Sequence, residues 1–189
     1  LFMYLKYSYY YFQSALSSDF CDKIINLGKD NVQEAEVMDE SKKQARNSSV
    51  AWLTDSWIYE AINPYIMEAN KKAEWNFDLI GSEACQFTMY KEKQYYDWHR
   101  DSAGHQIENY IRKLSVTVSL EDGDAYEGGD LEFDLRDQED SSANILSSKE
   151  ARKKGSIIVF PSFVWHRVSP VTKGTRYSLV IWSHGPKYR

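Results

Sequence analysis

Lys113–Leu120, KLSVTVSL, alternates without a break. In an extended chain successive side chains point to opposite sides. Leu114, Val116, Val118 and Leu120 therefore share one face, and Lys113, Ser115, Thr117 and Ser119 the other. The apolar face reads as core. The second face is polar but small, as it would be where a strand lines a wet pocket inside a barrel. Outward from this stretch, further short strands are broken by turns: Ala84–Tyr90 before it, then Leu131–Leu135, SIIVFPS (156–162) and TRYSLVIW (175–182) after it.

Two helical stretches precede them. Ser18-Asp19 would cap Phe20–Leu27, whose stripe of Phe20, Ile24, Ile25 and Leu27 closes at Gly28. Thr54 or Asp55 would cap a longer helix to about Ala73, with Trp57, Ile58, Ala61, Ile62, Ile66 and Met67 on one side and Pro64 as a point to bend or split it. Met3–Gln13 reads as an aromatic strand, 31–47 as a loop or exposed hairpin, and Trp75, Phe77 and Leu79 as an alternating segment. Residues 121–130 read as an acidic, turn-rich loop, and the polar segment through Lys154 as partly helical or mobile. Together these elements predict a β-rich α+β fold, a sandwich or jelly roll with helices packed outside.

The composition is that of a globular domain. The 189 residues are 42% hydrophobic and 27% charged, which one domain with a sizeable core accounts for. Aromatic residues make up 15%, which suits half-buried pleated surfaces. A net charge of −5 gives a nucleic-acid-coating or membrane-surface role no electrostatic support, although one face could still be basic. Cys21 and Cys85 are too few for a disulfide framework and read as reduced, partly buried thiols of a cytoplasmic chain. No run approaches eighteen apolar residues, no signal-peptide pattern opens the chain, and it begins with Leu, as a trimmed product would.

Tyr90–Asp101, YKEKQYYDWHRD, carries the chemistry. On a strand, His99 and Asp101 point to one side and Arg100 to the other. Two ligands on one strand are half of a metal site. His166 follows the strand SIIVFPS, and Arg176 lies ten residues later across the Lys173-Gly174 turn, where antiparallel neighbours would bring the two into one cavity. Two His and one Asp on one face of an octahedral ion leave three adjacent positions open, which suits Fe(II) binding a chelating co-substrate and dioxygen. Arg176 offers a permanently charged fork to a carboxylate. Each histidine needs an acceptor for its other ring nitrogen.

These residues come in the order of a known family. HxD, a distal His, Arg at +10 and Ser178 two further on resemble the 2-oxoglutarate/Fe(II) oxygenases, and within them the prolyl-4-hydroxylase-like branch. The blocks RKLSVTVSL, YEGGDLEF and GSIIVFPSFVWHRVSPVTKGTRYSLV extend the resemblance over roughly residues 86–183. It implies a double-stranded β-helix (jelly-roll) core at about 76–185 with supporting N-terminal helices at about 14–75, in a single domain spanning 1–189. It implies that His99, Asp101 and His166 bind Fe(II), that Arg176 holds the distal carboxylate of 2-oxoglutarate with help from Ser178, and that Tyr90 and Leu131 line the same pocket. It implies dioxygen as a reactant, decarboxylation of 2-oxoglutarate to succinate, a peptide or protein proline as substrate, and room for ascorbate. Asp101 favours hydroxylation, since related halogenases lack the carboxylate ligand. One departure is Lys93 in YKEKQYY, where relatives commonly carry Gly.

Other readings stay open at this level. The same chemistry could act on a free amino acid or small molecule, and a nucleobase is a poorer fit to the acidic balance. A non-catalytic jelly-roll binding module would be expected to have lost one of the four site residues. A zinc hydrolase could use His/Asp/His but has no use for Arg176. His105 and His184 read as solvent-facing or structural. Trp98, Trp165 and Trp182 read as core, with Trp98 a candidate for the edge of a substrate groove.

Overall fold

The computed structural model describes residues 7–35, 45–102, 106–107, 110–135 and 145–187. In chain order the elements are β1 (Tyr10–Phe12), α1 (Ser18–Lys29), β2 (Gln33–Glu34), β3 (Arg46–Asn47), β4 (Ser49–Leu53), α2 (Ser56–Lys72), β5 (Gly81–Ser82), β6 (Cys85–Tyr90), β7 (Tyr95–His99), β8 (Gln106–Ile107), β9 (Tyr110–Ser119), β10 (Tyr126–Gly128), β11 (Leu131–Asp134), β12 (Ile145–Ser147), β13 (Ile157–Pro161), β14 (Trp165–Val168), β15 (Val171–Gly174) and β16 (Arg176–Pro186). The larger sheet runs β1-β13-β9-β16-β6-β4-β2 and the smaller β12-β11-β14-β7-β3, with β10 and β15 paired separately. This is the jelly-roll sandwich expected, and its two inner faces enclose the site.

The strand carrying KLSVTVSL divides the molecule. Leu114, Val116, Val118 and Leu120 are fully buried in one cluster with Cys21 and Ile24 of α1 and Ile58, Ile62 and Ile66 of α2. The helices thus cover the outer face of the large sheet. Each such aliphatic side chain contributes about 1.5–3 kcal/mol through burial. The opposite face turns Ser115 and Thr117 toward the interior of the sandwich, where Thr117 lines a cavity.

Several local expectations are corrected. Gly28 does not end α1, which continues to Lys29. A Cβ at Gly28 would sit 2.3 Å from Phe87 Cγ, so the glycine lets helix and sheet approach closely. The helix is capped by Ser17, whose hydroxyl accepts a hydrogen bond from Phe20 N. α2 runs unbroken through Pro64. The missing N–H orphans the carbonyl of Glu60, and both residues are exposed to water. Met67, assigned to the apolar stripe, is 56% exposed.

Residues 75–79 form no strand, because Glu74 and Asn76 adopt left-handed backbone (φ 59° and 50°) and the Asn70 side chain pairs with both N and O of Phe77. The two described ends of the expected 31–47 hairpin join different partners, β2 with β4 and β3 with β7, while 36–44 lie outside the described residues. Residues 173–174 are not a turn but part of β15, which pairs with β10. Of the aromatic N-terminal stretch only Tyr10–Phe12 is strand, and residues 1–6 lie outside the described ones. The acidic 121–130 segment holds a 3-10 turn at Gly123–Ala125 besides β10. In the polar segment, Lys149–Arg152 is a 3-10 turn, and 136–144 lie outside the described residues, as does His105.

Candidate active site

β7 and β14 pair antiparallel on the smaller sheet with His99 directly opposite His166. β7 ends at His99, so Asp101 lies just past the strand, yet its carboxylate still turns back to the imidazoles. Asp101 Oδ1 is 3.5 Å from His99 Nε2, and Oδ2 is 3.5 Å from His166 Nε2. One ligand atom from each of the three falls within 4.8 Å of the others. Arg100, just past the strand, is exposed and is not among the residues that line the cavity.

Each imidazole is oriented by its own strand. His99 Nδ1 lies 2.7 Å from the Asp97 carbonyl and His166 Nδ1 2.9 Å from the Val164 carbonyl. A carbonyl can only accept, so both Nδ1 atoms carry a proton, and both Nε2 atoms face Asp101. Burial, followed by the neighbouring His99, pushes the His166 imidazole down to about 4 against the pull of Asp101, which keeps it neutral. Burial pushes the Asp101 carboxyl up, but the imidazoles of His166 and His99 and the Ser115 hydroxyl together hold it well below the usual carboxylate range. Two ring nitrogens and one carboxylate thus converge on one point. A divalent cation satisfies such a donor set, and two nitrogens with one carboxylate suit Fe(II).

The second half of the cavity belongs to the larger sheet. Arg176 is 3% exposed, and its Nη1 donates to Ser178 Oγ at 2.9 Å. Its guanidinium lies 5.5 Å from the centre of the Tyr90 ring, which the β6–β16 register sets directly across from it. No carboxylate pairs with Arg176 among the described residues' ion pairs, so its charge is directed at the cavity. The stem of Arg176 packs over Gly129 (φ +63°), where a Cβ would lie 3.1 Å from Arg176 Cδ. His166 and Arg176 are therefore not antiparallel neighbours. They sit on opposite sheets and face one another across the sandwich, because β15 intervenes and the chain changes sheet. His99, Asp101, His166, Arg176, Tyr90, Ser178 and Leu131 all line this one cavity.

Residues 85–184 match the family model of the 2OG-Fe(II) oxygenase superfamily, more than half of the chain. The chain belongs to that superfamily. Among curated relatives it is similar to a PKHD-type hydroxylase of Xylella fastidiosa (strain 9a5c), 32% identical over 106 residues, 51% of this chain and 42% of the relative. A PKHD-type hydroxylase of Synechococcus sp. (strain CC9311) is 33% identical over 130 residues, 65% of this chain and 54% of the relative. The chain thus spans about half the length of the curated relatives it matches. In fold it resembles the viral collagen prolyl hydroxylase of Paramecium Bursaria Chlorella virus-1, with a TM-score of 0.70 at 20% identity over 95% of this chain and 97% of that one.

Sequence reasoning left some of the candidate site unassigned. Ser115 Oγ donates to Asp101 Oδ2 at 2.6 Å and contacts Ser162 Oγ at 2.9 Å. Its signal was the small polar face of KLSVTVSL. Tyr96 stacks on His99 at 3.6 Å between ring centres, and Phe160 meets His166 edge-on at 4.6 Å. Arg46 reaches the same cavity from β3 and donates to Gln86 Oε1 at 2.8 Å. No spacing rule links position 46 to the others. Of the tryptophans, Trp182 is buried and lines the cavity, Trp98 is half-buried, and Trp165 is 38% exposed and outside the core. His184 is half-buried beside Tyr110 and Gly81, a structural position.

Proposed function

We propose that the chain is a single Fe(II)/2-oxoglutarate dioxygenase domain that hydroxylates an unactivated C–H bond of a peptidyl or protein proline. One observation carries the reading. The three convergent side chains of His99, Asp101 and His166 share a cavity with the buried guanidinium of Arg176, which pairs with no carboxylate among the ion pairs of the described residues. A metal-binding site alone has no need of that charge. The names of the PKHD-type and collagen prolyl hydroxylases support the substrate class.

Fe(II), when bound, supplies the oxidative chemistry, in which dioxygen and 2-oxoglutarate give succinate, carbon dioxide and a hydroxylated product. His99, Asp101 and His166 would hold the ion, beside the cavity that would admit the co-substrate and dioxygen. Arg176, steadied by Ser178, would take the distal carboxylate through its planar fork. Tyr90 would close one side of that carboxylate pocket and Leu131 would exclude water beside it. Phe160 and Tyr96 keep the imidazoles dry and fixed, so the residues' contribution is orientation and shelter. Ascorbate would serve as an accessory reductant, and the buried thiols suit a cytoplasmic setting. No described helix is long and apolar enough to cross a membrane.

The test is succinate formation from 2-oxoglutarate under air with Fe(II), with and without a panel of proline-containing peptides, comparing the protein with His99→Ala. Peptide-stimulated turnover that His99→Ala abolishes, with one oxygen added at a proline, supports the reading. Turnover indifferent to peptides would move the substrate to a free amino acid or other small molecule. Absence of turnover would leave a jelly-roll binding module.

A further inference from the structure

The tripeptide Trp-His-Arg occurs twice, at 98–100 and at 165–167, and each copy centres on one of the two histidines of the candidate metal site. The strands that carry them are antiparallel with His99 opposite His166. That register sets each tryptophan across from the other strand's arginine. On the outer face of the small sheet, the Arg167 guanidinium lies 4.7 Å from the centre of the Trp98 ring and the Arg100 guanidinium 5.0 Å from that of Trp165. Both distances are within cation–π range. Arg167 is also fixed to the next strand, donating through Nε to Glu132 Oε2 at 2.6 Å.

From this arrangement we infer that the two tripeptides form a reciprocal clamp that sets the separation of the histidine ligands, an inference that rests on the metal-centre reading above. The backbone ladder alone is poorly placed to do so. Its register shifts between His166 and Val168, and β7 ends at His99, so regular pairing fails on both sides of the one His–His rung. Side-chain pairs across the rung are what remain to hold it. Strand alternation sends ligands to the cavity and clamp residues to the opposite face. Trp98, Arg100, Trp165 and Arg167 are thus absent from the lining of the cavity. They are positioning residues, and Glu132 anchors the arrangement to β11.

The test is titration of the protein with Co(II), followed through the visible d–d absorption of the bound ion, which reports ligand geometry. Trp98→Leu is expected to weaken Co(II) binding about tenfold, the loss typical when partners behind metal ligands are removed, and to change the band shape. Trp98→Phe keeps a ring face for Arg167 and should restore both. Arg167→Met in the Trp98→Leu background should add little further loss. Should Trp98→Leu fail to fold, Trp165→Leu, at the more exposed position, makes the same test. Variants that melt earlier yet bind Co(II) with the parent's affinity and spectrum would overturn the clamp and leave the metal centre standing. A parent protein that takes up no Co(II) would overturn the metal-centre reading, and the clamp with it.

Discussion

The hydroxyl of Ser115 donates a 2.6 Å hydrogen bond to Asp101 Oδ2, joining the middle of β9 on one sheet to the carboxylate set between the two imidazoles of the other. Both residues are buried, so the bond is charge-assisted and shielded from water. It fixes which way the carboxylate turns. Ser115→Ala should weaken divalent-metal binding roughly tenfold while the fold loses only about 1–2 kcal/mol. Calorimetric titration with Mn(II) and a urea melt of the same preparation separate the two effects.

Lys93 has φ 68°, and its N–H donates to Val171 O at 2.8 Å, which ties the turn before β7 to the start of β15. A side chain in that left-handed region costs about 1–2 kcal/mol, whereas glycine adopts it freely but loses more entropy on folding. Lys93→Gly should therefore raise stability by about 0.5–1 kcal/mol net. An unchanged or lower urea midpoint would contradict this.

Gly28 presents the opposite case. Its backbone φ is not left-handed, but a Cβ there would lie 2.3–2.6 Å from three ring atoms of fully buried Phe87. Gly28→Ala would help the helix elsewhere, yet here it should destabilise by about 1–3 kcal/mol through overpacking. Gly28→Ala combined with Phe87→Leu should recover part of the loss, read from the thermal midpoints of the two variants.

The thiols set an alkaline limit. Burial, above all, pushes both Cys21 and Cys85 up to about 11 from the ordinary value of 9.0. In the folded chain both stay protonated where the unfolded chain has begun to ionise. Their contribution to stability is therefore whole below about pH 9 and is lost as pH rises through 11. Neither thiol should react with a thiol-specific disulfide reagent at pH 8 in the native protein, and two should react in denaturant. Rapid native labelling would contradict the burial.

The sheet and its site were legible to different degrees. Alternation in KLSVTVSL identified the strand, its core face and its cavity face, because a period of two survives in the sequence whenever one side is buried. The ordered blocks around His99, Asp101, His166 and Arg176 brought out the residues that line the cavity. What spacing could not convey was the change of sheet between His166 and Arg176, since two strands near in sequence look alike whether they pair or face one another. Nor could it separate the two uses of glycine. Gly28 looked like a helix terminator and is a point of close packing, while the left-handed position expected to want glycine is held by Lys93. The aromatic neighbours Tyr96 and Phe160 were hidden among many other rings, with contact and not period to mark them.

The most direct test of the proposed oxygenase site is anaerobic calorimetric titration of 2-oxoglutarate into the Fe(II)-loaded protein, repeated with Arg176→Ala and with His99→Ala. Binding of 2-oxoglutarate by the parent, lost in Arg176→Ala while Fe(II) is still bound, and lost in His99→Ala together with the metal, is the predicted result. Unchanged 2-oxoglutarate affinity in Arg176→Ala would contradict it, because the buried guanidinium would then not be the group that holds the co-substrate.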